Sequence, residues 1–174
     1  MRFLHRLLLN LYRRLPRKGR RWVVRTLAPT YTVGAMCIIE RADGAVLLVR
    51  HSYRQRWGVP GGLLQRGEEA TVGARREVRE EVGLEVELLG EPAVVVDALP
   101  QRVDLVYRAR PVKAAELDAI APRSVEITET AWFPRTQLPP LQFETTTALM
   151  ALARSANAPQ ADPIVPRPWS ADRQ

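Results

Sequence analysis

Residues 76–83 read Arg76-Glu77-Val78-Arg79-Glu80-Glu81-Val82-Gly83, with three carboxylates inside five positions and a glycine closing the run. They end a predicted helix from about Glu69 to Val82, with Gly83 as its stop. Turned at 100° per residue, Glu80 falls about −60° and Glu81 about +40° from Glu77, so all three acids share one face. Val78 and Val82, at about 100° and about 140°, form an apolar stripe beside it. Gly73 lies in the acidic fan one turn earlier, where a helical glycine costs about 1 kcal/mol against alanine and leaves room for a ligand. Three like charges on one face repel. A solvated, salt-bridged face would tolerate that repulsion; a divalent cation with oxygen ligands would remove it. Mg²⁺ suits the second case, because it takes a few carboxylates, keeps waters and bridges to phosphate. The octapeptide leaves both readings open.

The wider spacing separates them. Read from Gly62, the chain gives Gly62-x5-Glu68-x7-Arg76-Glu77-Val78-x-Glu80-Glu81-x-Gly83-Leu84. This resembles the box of the Nudix hydrolases at every fixed position. Seven specified residues at ordinary frequencies match by chance on the order of 10⁻⁹ per start position. The order of strands and helices from roughly Thr32 to Arg154 is also similar to that family, over about two-thirds of the chain. The resemblance implies an α+β fold, an α/β/α sandwich with a mixed β-sheet, and the box as a loop–helix–loop.

It also implies a chemistry: Mg²⁺-dependent, or Mn²⁺-dependent, hydrolysis of a nucleoside diphosphate linked to another group X. Glu77, Glu80 and Glu81 match the metal-binding glutamates, and Gly61 matches a position whose carbonyl often adds a ligand. Glu68 and Arg76 match residues that brace the loop and orient the catalytic glutamate, while Gly62 and Gly83 match the glycines that shape the box. The proton acceptor is a box glutamate, Glu77 or Glu81, or lies beyond the central strands, where Glu126 precedes Trp132-Phe133-Pro134 as in many relatives; Glu129 is the weaker candidate. The alternative is a catalytically idle module of the same fold that senses a nucleotide.

The approach to the box, Arg50 to Gly61, mixes arginines and aromatics. Arg54 and Arg56 are candidates to grip phosphate. Trp57 opens a Trp-Gly-x-Pro-Gly-Gly turn similar to the family's, to wedge the loop against the sheet or to stack on a base. His51 reads as structural. Pro100 lies 16 residues beyond Leu84, a spacing linked in the family with ADP-ribose hydrolysis. A nucleoside triphosphate or an oxidised nucleotide is the other substrate class.

Around this centre the chain reads as one domain, residues 30–155, between a basic arm, 1–29, and a Pro-rich tail, 156–174, expected to be flexible. Predicted strands are Thr32–Glu40 and Ala45–Arg50, joined as a hairpin through Asp43-Gly44, then Glu85–Leu89, Ala93–Asp97, Arg102–Arg110 and Val125–Trp132. Ser52 to Gly67 reads as loop and Phe143 to Arg154 as helix. Cys37, the only cysteine, excludes an internal disulfide and lies in an apolar run that favours a buried thiol. Two histidines, His5 and His51, exclude a His-rich zinc site.

The charge is segregated. Nine Lys or Arg and no acid precede Glu40, leaving 17 basic residues to face all 19 acids, a balance of −2 against +7 for the whole chain. Residues 2–14 have the pattern of a short amphipathic basic helix, too short to cross a bilayer. It could pack on the domain, lie on an anionic membrane, meet nucleic acid, or direct the chain to an organelle. Without a cleavage site of small residues, the expected location is cytoplasmic, with peripheral attachment to a membrane as a variant. The oligomeric state is not legible.

Overall fold

The computed structural model describes residue 6 and residues 12–113 and 120–157. Its centre is β1 (Thr32–Ile39), buried from Gly34 onward. A strand sends successive side chains to opposite faces, and β1 divides accordingly. Ala35, Cys37 and Ile39 join one core cluster, while Met36 and Ile38 join the other. The first core lies under α2 (Ala70–Val82), through Ala74, Val78 and Val82. The second lies under α3 (Phe143–Asn157), through Ala148, Ala151 and Leu152. Each fully buried aliphatic such as Ile38, Leu47 or Val78 contributes about 1.5–3 kcal/mol. The layers are helix, sheet, helix, as the α/β/α expectation requires.

The main sheet runs β3–β1–β5–β4, with β3 (Gly61–Leu63), β5 (Arg102–Pro111) and β4 (Val86–Asp97). It is mixed: β1 runs parallel to β5 and antiparallel to β3. A second sheet pairs β2 (Ala45–His51) with β6 (Ile127–Pro134). The predicted hairpin is corrected here. Its turn forms, with Arg41 N–H on Ala45 O at 2.9 Å and one bridge from Glu40 to Val46. The strands then part into different sheets, because β3 and β5 already occupy both edges of β1. Glu85–Leu89 and Ala93–Asp97 are likewise one strand, β4, interrupted by a bulge at Gly90 with φ 66°. Residues 61–63, read as loop, form β3, which is too short and glycine-rich to carry a strand pattern.

Helix α1 (Arg17–Leu27) precedes the sandwich. Most of the predicted helix over 2–14 lies outside the described residues, apart from a turn at 12–14. The tail expected from residue 156 starts later, since α3 continues to Asn157; the remainder also lies outside the described residues.

Cys37 sits in the core under α2, with its thiol donating to Ala74 O at 3.7 Å. Burial pushes this thiol up to about 12, with Arg75 opposing the shift. The native protein should therefore resist thiol reagents at pH 8 and react only as fast as it unfolds. Labelling of the folded chain at the rate of a free cysteine would contradict this packing.

Candidate active site

The site forms where β3 meets α2. Gly61 has φ 154°, and a Cβ there would strike Ala35 O, so only glycine lets the loop lie this close to β1. A Cβ on Gly62 would come within 2.6 Å of Glu77 Oε1, so this glycine makes room for a carboxylate. The space at Gly73 is different from the expectation: Leu64 fills it, and no room remains for a ligand.

Arg76 organises the acids. Its Nε and Nη2 donate to the two oxygens of Glu68 at 2.8 and 2.9 Å, a fork on a carboxylate. Its Nη1 donates to Glu77 at 2.7 Å and to Glu80 at 3.1 Å, and its Nη2 also reaches Leu63 O at 3.3 Å. The guanidinium, helped by Gln65 N–H, holds the Glu68 carboxyl down to about 2. Glu77 shifts the other way: burial raises it, and Arg76 only partly compensates. Glu81 is 5 % exposed. It accepts from Gly61 N–H at 3.1 Å, and His51 Nε2 stands 3.5 Å from its other oxygen.

Glu77, Glu80 and Glu81 line a cavity of about 640 Å³, together with Gly61, Gly62 and Arg76. The same lining includes Tyr53, Arg54, Arg102, Ser124, Glu126 and Glu144. Glu126 was expected inside a strand beginning at Val125. It instead precedes β6 on a loop held by Ser52 N–H on Glu126 O at 2.7 Å and Arg123 N–H on Glu81 O at 2.9 Å. Arg54 lines the cavity and pairs with Glu144 at 3.3 Å. Arg56 does not line it; its carbonyl accepts from Gln142 Nε2 at 3.0 Å. Trp57, 7 % exposed, packs edge-on against Phe133 at 5.0 Å and is not among the residues lining the cavity. Glu129 pairs with Arg50 on β2 and also stays out of the cavity.

The donor set is of the type a hard cation takes: carboxylates on a helix face beside the Gly61–Gly62 loop. The acids are nevertheless spoken for. Arg76 lies between Glu77 and Glu80, Glu81 faces the loop amide, and among the described residues no group of three His, Cys, Asp or Glu is gathered closely enough to hold an ion.

Sequence reasoning passed over several cavity residues. His51, read as structural, bridges Glu81 and Gln142, whose Nε2 lies 3.4 Å from His51 Nδ1. Ser124 Oγ is buried without a hydrogen-bond partner beside the same cavity. Arg102 and Asp104 pair at 2.8 Å on β5, with Asp104 buried. None of these stands in a local pattern; topology alone brings them together.

Residues 30–152 match the family model of the NUDIX domain. The chain belongs to the NUDIX family. It is 33% identical over 91 residues to a MutT-like protein of Streptomyces ambofaciens, covering 52% of this chain and 59% of that one. It is 31% identical over 140 residues to the human 8-oxo-dGDP phosphatase NUDT18, covering 78% of this chain and 42% of that one. The chain thus spans about half the length of these curated relatives. A solved NUDIX hydrolase from Nitrosomonas europaea superposes with a TM-score of 0.63 at 26% identity, over 75% of this chain and 76% of that one.

The Arg76–Glu68 fork should outlast ordinary acid. The folded pKa of Glu68 is depressed, so its contribution to stability is full above the unfolded value of about 4.3. That contribution disappears only as the pH falls through about 2. A ¹³C titration of the Glu68 carboxyl reads this directly, and a midpoint near 4.3 would remove the fork from the account of this NUDIX site.

Proposed function

We propose that the protein hydrolyses the diphosphate linkage of a nucleoside diphosphate joined to a further group X. The observation that carries this reading is the convergence of Glu77, Glu80 and Glu81 with the Gly61–Gly62 loop on one cavity. Glu77, Glu80, Glu81 and the Gly61 carbonyl would hold Mg²⁺, with Mn²⁺ as substitute. When bound, the ion would neutralise the bridging oxygens and acidify a water for attack on phosphorus.

The chain's own groups supply the rest. Arg54 and Arg102, on the cavity wall, meet the negative charge of the diphosphate. Glu126, on its loop at the cavity mouth, accepts the proton of the attacking water, a contribution of typically about 10²–10⁴-fold. Glu81 is held in one orientation by Gly61 N–H and His51, which suits a ligand. Arg76 keeps Glu77 in the fan and lends it a compensating charge.

Group X or the base has an adjoining space. A second cavity of about 410 Å³ shares Met36, Arg54, Arg102 and Glu144 with the first and adds Val95, Pro100, Asp104 and Phe143. Phe143 is 69 % exposed on its wall, an aromatic face with the geometry to stack. ADP-ribose and nucleoside triphosphates are both candidate substrates. The activity in the human relative's name adds 8-oxoguanine nucleotides to that set.

The second reading is a catalytically idle nucleotide sensor. The feature favouring it is the engagement of Glu77 and Glu80 by Arg76, which gives both carboxylates a cationic partner without a metal.

Mg²⁺-dependent product release from ADP-ribose, nucleoside triphosphates, 8-oxo-dGDP, nucleotide sugars and dinucleoside polyphosphates tests the two readings. Turnover of one compound, reduced by about 10²-fold or more in Glu81→Gln, supports hydrolysis. Metal-dependent binding without turnover supports the sensor. Once a substrate is known, Phe143→Ala should raise KM by about tenfold and leave kcat nearly unchanged, the signature of lost uniform binding. An equal fall in kcat and kcat/KM would place Phe143 in the chemistry instead.

A further inference from the structure

Helix α1 lies outside everything the site uses, and its side chains are unusual for a solvated helix. Trp22 is 68 %, Val24 50 % and Leu27 80 % exposed. Turned at 100° per residue with Trp22 as zero, Val23, Leu27 and Val24 fall at about 100°, about 140° and about 200°, so the apolar residues share a broad arc with Trp22 and Val24 at its two edges. Arg17, Arg21 and Lys18 occupy the opposite arc, from about −140° to about −40°. One basic residue, Arg20 at about 160°, falls among the apolar ones. Its guanidinium is turned back along the chain: Nε donates to Leu15 O at 2.9 Å and Nη2 to Arg13 O at 2.7 Å. That fold-back clears the apolar arc and fixes the elbow at Pro16 between the turn at 12–14 and α1.

We propose that α1 is a docking surface for an anionic phospholipid bilayer, lying in the interface with Val23 and Leu27 toward the acyl chains, Trp22 and Val24 at the edges of that apolar face, and Arg17, Lys18 and Arg21 at the headgroups. Charge complementarity selects this partner. Nine basic residues and no acid precede Glu40 in the sequence, while the rest of the chain balances at −2, so the positive excess that a negative surface would attract belongs to the arm. Exposed apolar side chains select it over nucleic acid. Nucleic acid would use the arginines on phosphate and a tryptophan for base stacking, but gives no reason for an exposed valine and leucine beside them. The helix of 11 residues is about 16 Å long, roughly half the hydrocarbon thickness, so it lies on a membrane and does not cross one.

Flotation of the full chain with vesicles tests this. Vesicles of phosphatidylcholine alone are compared with vesicles carrying phosphatidylserine, each at low and high salt. Binding to the anionic vesicles alone, weakened by salt, is expected. Arg17→Gln with Arg21→Gln should weaken it about thirtyfold, the effect of two surface charges. Trp22→Ser with Leu27→Ser keeps every charge and should weaken it about tenfold or more. Val24→Ser, on the same arc, is a milder second variant. All three positions are exposed, so melting temperatures should not move. Equal binding to both vesicle types, or to neither, overturns the proposal, and so does full binding by the Trp22→Ser, Leu27→Ser protein. A preference for single-stranded RNA over anionic vesicles that survives those two changes would give the arm to nucleic acid. Turnover is not read, so this inference and the hydrolase reading fail separately.

Discussion

The guanidinium of Arg76 is the interaction on which the site depends. Five hydrogen bonds leave it, two to Glu68, one each to Glu77 and Glu80, and one to Leu63 O. They join the loop before α2, the strand β3 and the helix face into one unit. Without that cation, Glu68 on the loop and Glu77 and Glu80 on the helix would be like charges with no partner between them, and the loop would have no reason to fold back. The pKa of Arg76 is pushed further up by these partners, so the charge is permanent. Glu77 shows the balance: burial pulls its carboxyl toward the neutral form, and Arg76 is the largest force pulling it back.

That unit is placed by β1. Because both edges of β1 are paired, β3 lies rigidly beside it, with Ala35 opposite Gly62 and Met36 opposite Gly61. The same strand gives its odd residues to the core under α2 and its even residues to the core under α3. Loop geometry at the glutamates is therefore fixed by the sandwich itself. Gly83 completes it from the other end: its φ of 72° ends α2, and Arg123 lies over it, carrying the chain toward Glu126. The two halves of the cavity are thus tied through the C-terminal turn of one helix.

What the sequence made legible follows from range. The box glutamates, Glu68 and Arg76 are local, and helical spacing alone puts the three acids on one face; the observed α2 agrees within a residue of its predicted start. The layers were legible because the apolar runs of β1 and β2 are buried on both faces. Partner choice among strands was not. Asp43-Gly44 encodes a turn, and nothing local says that β2 will leave β1 for β6. His51, Arg102 and Ser124 were invisible for the same reason, since each reaches the cavity from a different element. Gly73 misled because a glycine in a helix states only that space is needed; Leu64, nine residues earlier, is what needs it.

Charge at the cavity gives an argument that no single residue gives. Its lining holds five carboxylates, Glu77, Glu80, Glu81, Glu126 and Glu144, against three guanidiniums, Arg54, Arg76 and Arg102. Those charges sum to −2, and Arg102 is already matched by the buried Asp104. An anionic diphosphate entering such a space meets net repulsion in a medium less screening than water. One divalent cation offsets the formal −2 of the lining residues themselves, and three of the carboxylates are on the helix face that presents oxygen donors. The surplus of acid is therefore costly to a protein that binds a bare nucleotide, and useful to one that binds a nucleotide together with a metal ion. Helix α1, where the opposite excess is described, is absent from the cavity lining, so its charge does not offset the acids there.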